Sequence, residues 1–217
     1  MLRPTYLEVN TKKLYRNIQQ IRGSIGKNTG IMAVVKADAY GHGIVDIAKA
    51  CVNSGVECLC VANVEEGALL RRRHIYSPIL ILGLSNKREM HVAVKKGLKI
   101  TVSTPGEIKA VNDIASSLGM EATVHFKADT GMSRIGFRSK EELAEMINVA
   151  KGCSHVYAEG FFTHFACADD SDPTHCLKQQ ELFFDYLDYA ASKKMHFDAV
   201  HAANSAAKQP SFLSCLI

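Results

Sequence analysis

The segment MAVVKADAYGHG spans residues 32–43 and contains the strongest fold signal in the chain. The apolar run from Ile31 to Val35 is typical of a buried strand, and the Gly-His-Gly sequence that follows is typical of a turn that opens a helix. Lys36 lies where this strand stops. A lysine there either extends its stem into water or, at the mouth of an α/β fold, is partly desolvated and becomes a reactive amine.

Around this segment, apolar strands alternate with amphipathic helices. A short strand is predicted over residues 5–9, followed by a helix from Asn10-Thr11 to about Arg22. Six further strands are predicted at 58–62, 79–82, 99–102, 122–126, 156–163 and 199–202, and helices at 44–53, 64–72, 87–95, 105–118, 140–150 and 177–192. This order predicts an α/β fold with a parallel sheet. Counted from the strand at 31–35, there are seven barrel strands, one fewer than the eight of a closed (β/α) barrel.

Four segments, in this order, resemble the bacterial alanine racemases, which bind pyridoxal phosphate. They are VVKADAYGHG at 34–43, KADTGMSRIG at 127–136, THFA at 163–166 and HAANSAA at 201–207. The resemblance runs from about Tyr6 to Ala207 and covers the first part of such an enzyme. It implies the N-terminal (β/α)8 TIM barrel of that family over residues 1–207, lacking its last strand and the C-terminal β domain, with an atypical truncated tail over 208–217.

The resemblance also implies an activity, the interconversion of L- and D-alanine that supplies D-alanine for peptidoglycan. Lys36 would hold pyridoxal 5′-phosphate as a Schiff base, which provides the electron sink that removal of an α proton needs, and would act as the catalytic base on the D-enantiomer. Tyr40 would bind the phosphate, unless it is an aromatic residue packed under the barrel rim. The opposing base is a tyrosine of the second domain, supplied by the partner subunit, so we expect little or no racemase activity from the 217-residue chain alone.

The segment 127–136 follows a strand and is rich in polar residues. Residues 129–131 read Asp-Thr-Gly, which by itself is a good turn sequence. By resemblance, Arg134 would contact the phenolic oxygen of the cofactor and the carboxylate of the substrate. Lys127 would be carbamylated, because a neutral buried lysine can capture carbon dioxide and present a negative charge to Arg134.

The last two segments supply supporting residues by the same resemblance. His164 joins the catalytic set because it would position the catalytic tyrosine. His201 would support an arginine that faces the pyridine nitrogen. Asn204 and Ser205 would line the cofactor, with Ser205 on its phosphate, as expected of an anion site at a strand-to-helix turn.

The same motifs also fit other functions. A serine racemase of the same family, or a non-catalytic barrel protein that binds pyridoxal phosphate, would share these motifs. A metal-dependent hydrolase is suggested by a cluster of potential ligands in one loop, which consists of His164, Cys167, Asp169, Asp170, Asp172, His175 and Cys176. The spacing of that cluster matches none of the usual metal-binding patterns, so we expect no metal.

Composition limits the partners and the compartment. The net charge is +4, and the basic cluster at 71–74 ends a predicted helix, so we expect no nucleic acid partner. No apolar run is long enough to span a membrane, and the start MLRPTYLEVN has no secretory core. Seven cysteines without framework spacing favour a reducing cytoplasm. A homodimer is expected for the full-length family member.

Overall fold

The computed structural model describes residues 7–205. It divides into two compact units, Met1–Gly83 and Leu84–Ile217. Within the described residues, seven strands alternate with helices, and every strand pair described within either unit is parallel. The predicted α/β class and the predicted order of strands and helices are therefore confirmed.

The first unit contains three parallel strands and the helices that connect them. Its elements are α1 (Thr11–Ser24), β1 (Met32–Val34), α2 (Lys36–Gly41), α3 (Ile44–Asn53), β2 (Cys58–Val61), α4 (Val64–Arg72) and β3 (Ile79–Ile81). The register pairs Ala33 with Leu59 and Cys60 with Leu80. Strands β2 and β3 are fully buried, which explains why both are continuous apolar runs in the sequence.

The second unit contains the other four strands. Its elements are α5 (Lys87–Lys95), β4 (Lys99–Val102), α6 (Pro105–Ser117), β5 (Ala122–Lys127), α7 (Lys140–Lys151), β6 (Val156–Phe162), α8 (Thr174–Ser192) and β7 (Ala199–His201). β4, β5, β6 and β7 lie side by side in chain order. Phe161 of β6 packs against Phe183 of α8 and against Phe137, which follows β5. The centre of the Phe161 ring lies 5.3 Å from that of Phe183 and 5.7 Å from that of Phe137.

Side-chain caps set the start of most helices. Asn10, Asn63, Asn86, Thr104 and Ser139 each accept a hydrogen bond from a backbone N–H in the first turn of the helix that follows. Each such cap is worth about 1 kcal/mol of helix stability. The predicted starts of these five helices agree with the structure, because the caps are local in sequence.

The structure differs from the prediction at Lys36–Gly41, where no element was predicted, before the first helix and at the start of α8. Residues 7–9 form no strand, and the rest of the predicted strand over 5–9 lies outside the described residues. Helix α8 begins at Thr174 rather than at Leu177, because the Asp172 side chain accepts hydrogen bonds from the backbone N–H and the hydroxyl of Thr174. The predicted tail at 208–217 also lies outside the described residues.

No helix in the range 7–205 is both long enough and apolar enough to cross a membrane.

Candidate functional site

The segment α2, which begins at Lys36, is a left-handed turn and not a right-handed helix. Four consecutive residues without glycine, Ala37 to Tyr40, have φ angles of 52–55° and lie in the left-handed region. This conformation costs an L-residue about 1–2 kcal/mol. A run of four is therefore kept only where the surrounding structure holds it.

Local hydrogen bonds close this left-handed turn. The Ala39 N–H donates to the Val35 carbonyl at 2.9 Å, and the Gly43 N–H donates to the Asp38 carbonyl at 3.0 Å. The Asp38 carboxylate accepts from the Ile44 N–H at 2.7 Å and so caps α3. Gly43 has a φ of 90°, which suits glycine at the junction between the left-handed turn and the right-handed helix.

The turn presents both of the residues that were predicted for this part of the site. Lys36 is half-buried at the carboxyl end of β1, and among residues 7–205 no hydrogen bond or ion pair engages its Nζ atom. Tyr40 is 63% exposed, so it does not pack as a core aromatic residue. The first unit thus offers an amine and a phenol on one short, backbone-defined segment.

In the second unit, three site residues form a row across the sheet. Register pairs Lys127 of β5 with Phe162 of β6, and Phe162 with His201 of β7. The Lys127 Nζ atom lies 4.3 Å from the centre of the Phe162 ring. The His201 imidazole stacks on the same ring with centroids 4.6 Å apart and an angle of 12° between the planes. The structure therefore brings together Lys127 and His201, which the sequence predicted separately.

Burial changes the protonation of Lys127. The side chain is almost fully buried, and desolvation, with a smaller effect from the nearby positive charge of Arg134, lowers its pKa to about 7, against the partial opposition of Asp129. At neutral pH, a large fraction of this amine is therefore uncharged. An uncharged amine is nucleophilic, whereas an ammonium ion is not.

His201 lies at one end of a series of hydrogen bonds. This series was not predicted from the sequence. The Nε2 atom of His201 lies 3.0 Å from Nδ1 of His125, and Nε2 of His125 lies 2.8 Å from a carboxylate oxygen of Glu159. The same oxygen accepts a hydrogen bond from the Lys99 ammonium group. These contacts lower the pKa of Glu159 to about 2, with the His125 hydrogen bond as the largest cause.

The direction of these hydrogen bonds follows from the charges. Because Glu159 is a carboxylate, Nε2 of His125 must carry the proton and donate it. Burial lowers the pKa of His125, so this imidazole is neutral and its Nδ1 accepts from Nε2 of His201. Burial and the neighbouring positive groups lower the pKa of His201 well below its usual value, so His201 is neutral too. Its remaining nitrogen, Nδ1, is left as a hydrogen-bond acceptor.

A β-bulge brings Glu159 to His125. The register shifts between Val124 and His125, so that Ala158 and Gly160 pair with β5 and Glu159 between them has no partner there. The His125 ring lies against Gly160, where a Cβ atom would overlap it. The sequence signal for these contacts was one histidine and one glutamate, each within a mainly apolar strand.

The Asp-Thr-Gly turn at 129–131 orders the loop that carries Arg134. The Asp129 carboxylate accepts from the N–H groups of Gly131 and Ser133 at 3.1 and 2.8 Å, and from the Arg138 side chain at 3.0 Å. Burial alone would raise the pKa of Asp129, but these hydrogen bonds outweigh burial and lower it. Asp129 is thus a structural anion, and Arg134 extends from the ordered loop as an exposed side chain.

The loop after β6 is held by Gln179 of α8. This buried side chain donates to the His164 carbonyl at 3.1 Å and accepts from the Ala166 N–H at 2.9 Å. Asn204 donates to the Phe165 carbonyl at 3.4 Å, so the predicted residues His164 and Asn204 belong to one connected region. Ser205 follows as an exposed residue with no regular secondary structure.

The loop that suggested a metal site does not gather its ligands. Within residues 7–205, no group of three or more His, Cys, Asp or Glu side chains could hold a metal ion. Asp172 instead caps the start of α8, and Cys176 is buried within that helix. The hydrolase alternative therefore receives no support from the described residues.

Comparison with known families and sequences gives one consistent result. Residues 9–209 match the family model described as alanine racemase, N-terminal domain. The chain is 37% identical over 206 residues to alanine racemase 2 of Caldanaerobacter subterraneus, which covers 95% of this chain and 53% of that protein. It is 38% identical over 207 residues to the alanine racemase of Desulforamulus reducens, covering 95% and 56%. The chain spans about half the length of the curated relatives that it matches.

Solved structures of alanine racemases also resemble this chain. An alanine racemase of Clostridium difficile 630 superposes with a TM-score of 0.94 at 36% identity, covering 97% of this chain and 56% of that one. Its complex with cycloserine gives a TM-score of 0.96 at 34% identity, covering 100% and 59%. The alanine racemase of Bacillus anthracis with bound L-Ala-P gives 0.88 at 33% identity, covering 95% and 54%. The fold is that of the N-terminal TIM barrel in these proteins.

Proposed function

Because this chain belongs to the alanine racemase N-terminal domain family, we propose that it is the cofactor-binding part of a racemase that interconverts L- and D-alanine. The observation that carries the proposal is the position of Lys36. Its amine lies half-buried at the carboxyl end of the first strand, on a strained turn that also presents Tyr40. A strained, backbone-defined segment that offers an amine is typical of a reactive site.

We propose pyridoxal 5′-phosphate as the cofactor, within a barrel domain over residues 1–207. The donor set fits this compound: the Lys36 amine suits its aldehyde, and the hydroxyls of Tyr40 and Ser205 suit its phosphate. Asn204 would add an amide donor. When bound, the cofactor withdraws electrons from the α carbon of an amino acid and makes its α proton acidic.

The row across β5, β6 and β7 supports roles for His201 and Lys127. The neutral His201 presents Nδ1 as an acceptor, which is what a guanidinium beside the pyridine ring would need. The uncharged fraction of Lys127 can react with carbon dioxide: Nζ forms a bond to the carbon and releases one proton to solvent. The resulting carbamate would present a negative charge to Arg134, whose charge already influences Lys127. Arg134 would then be oriented to bind the carboxylate of the substrate.

In this proposal, proton transfer on one face of the substrate belongs to Lys36. Its Nζ atom would remove the α proton of D-alanine, or return a proton to form D-alanine. Half-burial of Lys36 keeps bulk water from much of its surface and so limits competing proton exchange. His164, in the loop held by Gln179, would position the tyrosine that serves the opposite face.

We also propose a cytoplasmic homodimer that supplies D-alanine for peptidoglycan, without nucleic acid or membrane partners. Support for the compartment comes from the six cysteines in the described residues, all of which are free thiols. Support for the dimer comes from family membership alone.

Loss of the α proton of alanine into deuterium oxide tests the function. The 217-residue chain is incubated with pyridoxal 5′-phosphate and either D- or L-alanine, and the α-proton signal is followed by NMR. We expect D-alanine to exchange faster than L-alanine, because Lys36 serves the D-enantiomer. In the variant Lys36→Ala, the exchange rate of D-alanine should be about a thousandfold lower than in the wild type.

Lys49→Ala, a variant of an exposed lysine in the same unit, is the matched control and should exchange at the wild-type rate. D-Serine tests the substrate and should exchange more slowly than D-alanine. Exchange of D-alanine no faster than with the free cofactor, or equal exchange in Lys36→Ala, would contradict the proposal.

A further inference from the structure

We propose that Glu66 is a positioning residue for Lys36, an inference that rests on the proposed function and adds a residue to it. One oxygen of the Glu66 carboxylate accepts a hydrogen bond from the Ala37 N–H at 2.7 Å. The other oxygen accepts from the Ala62 N–H at 2.8 Å. Ala37 directly follows Lys36, and Ala62 directly follows β2, so one side chain joins the ends of two neighbouring strands.

These two N–H groups lie where the sheet ladder stops. The last ladder bond at this end of β1 runs from the Val35 N–H to the Cys60 carbonyl at 2.8 Å. Beyond it, the chain turns into the left-handed segment, so the Ala37 N–H has no strand partner. The Glu66 carboxylate supplies a charged acceptor, which makes a stronger hydrogen bond than a neutral carbonyl does.

The carboxylate is fixed by the start of α4. The Asn63 side chain accepts from the Glu66 N–H at 3.0 Å, which places Glu66 in the first turn of the helix. A negative side chain is favoured there, because the first turn has unpaired N–H groups and the positive end of the helix dipole. Glu66 therefore acts from a rigid position.

Two other glutamates occupy the same position relative to a helix cap and make only the local contact. Glu107 in α6 and Glu142 in α7 also lie three residues after the cap, and each accepts from the N–H just before the cap, at 2.7 Å in both cases. Those contacts stay within one strand-to-helix connection. Glu66 makes the equivalent local contact with Ala62 and, in addition, reaches the segment after Lys36.

The additional contact bears on the direction of the Lys36 side chain. Ala37 is the first residue of the left-handed run, with a φ of 54°. Without its hydrogen bond, the peptide between Lys36 and Ala37 is free to rotate toward an unstrained conformation, and the amine would turn away with it. Glutamine at position 66 would keep one uncharged acceptor oxygen for the two N–H groups of Ala37 and Ala62. The Ala37 N–H would then either face the amide NH2 group or keep a weaker, uncharged acceptor.

The experiment compares Glu66→Gln with Glu107→Gln. Two readouts are used: hydrogen exchange of residues 35–41 by mass spectrometry without cofactor, and the fraction of Lys36 trapped by borohydride with a limiting amount of pyridoxal 5′-phosphate. For Glu66→Gln, we expect exchange at Ala37 to accelerate about tenfold and the trapped fraction to fall about tenfold, as for loss of one hydrogen bond to a charged group. Glu107→Gln should leave both readouts at wild-type values, and thermal unfolding of both variants measures any general loss of stability.

Wild-type exchange and trapping in Glu66→Gln would overturn the proposal. An equal loss of trapping in Glu107→Gln would also overturn it, because the effect would then be general destabilisation. Failure of the proposed function has a different signature, namely no trapping at Lys36 in the wild-type chain. The exchange readout still decides the question in that case: faster exchange at Ala37 in Glu66→Gln alone supports the role of Glu66.

Discussion

The two units hold their site residues by different means. In Met1–Gly83, backbone conformation holds Lys36 and Tyr40 on a left-handed turn, and their side chains make no described polar contact. In Leu84–Ile217, the surroundings of Lys127 and His201 are buried, titratable side chains. Substitutions in the first unit should therefore act through backbone conformation and depend little on pH. Substitutions in the second should act through charge and depend strongly on pH.

The largest effect on stability is expected from Glu159→Gln in the second unit. Glutamine removes the negative charge that Lys99 and the buried His125 share and leaves them only one neutral amide oxygen as acceptor. The free energy of unfolding should fall by about 3 kcal/mol at pH 7, as for one broken partner in a buried ion pair. Chemical denaturation measures this difference.

The pH dependence of this variant sharpens the comparison. The pKa of Glu159 is lowered from 4.5 to about 2, so its stabilisation is fully present above pH 4.5 and is lost as pH falls toward 2. The difference between wild type and Glu159→Gln should shrink over that range. The exposed Glu145 provides the control, and Glu145→Gln should change little at any pH. A constant difference between pH 7 and pH 3 would contradict the account.

A smaller effect of opposite sign is expected from Lys127→Met. The pKa of Lys127 is lowered from 10.5 to about 7. Below pH 7, the amine is charged in the folded protein, and the destabilising effect of this buried charge is fully present. At pH 6 in buffer free of carbon dioxide, the variant should be more stable than wild type by about 2 kcal/mol.

As pH rises from 7 toward 10.5, the folded wild type loses this proton while the unfolded chain keeps it, so the wild type gains stability. The advantage of Lys127→Met should therefore decrease with rising pH. Lys109→Met removes a lysine whose side chain is 72% exposed and should show no such trend. A lower stability of Lys127→Met at pH 6 would show that the buried amine is not a destabilising charge.

The smallest effect is expected from Ala37→Gly in the first unit. Glycine adopts the left-handed conformation without the penalty of about 1 kcal/mol, but its unfolded chain has more entropy, so the two effects nearly cancel. The free energy of unfolding should change by less than about 0.5 kcal/mol at every pH. Ala50→Gly, in the right-handed helix α3, is the control and should cost about 1 kcal/mol. An equal cost for Ala37→Gly would contradict the left-handed conformation of residue 37.

The same contrast explains what could be predicted from sequence. The ends of parallel strands lie at one edge of a sheet, so Lys127 and His201 were both expected near the site, and register places them on the two sides of Phe162 in the strand order. Helix starts were predicted well wherever a cap residue such as Asn63 or Thr104 lies beside the helix.

Two features depend on contacts distant in sequence and were missed. Ala-Asp-Ala-Tyr contains no glycine to signal a left-handed turn, and one of the hydrogen bonds of the turn joins the Ala37 N–H to Glu66, 29 positions away. The pairing of His125 with Glu159, 34 positions apart, requires a bulge that reads as ordinary strand in sequence.

The most direct test of the central claim is to map where pyridoxal 5′-phosphate becomes attached. The wild-type chain is mixed with the cofactor, reduced with borohydride and digested, and every lysine is examined by peptide mass spectrometry. The account predicts an adduct confined to Lys36. An adduct spread over exposed lysines such as Lys49 and Lys109, or none at Lys36, would contradict it.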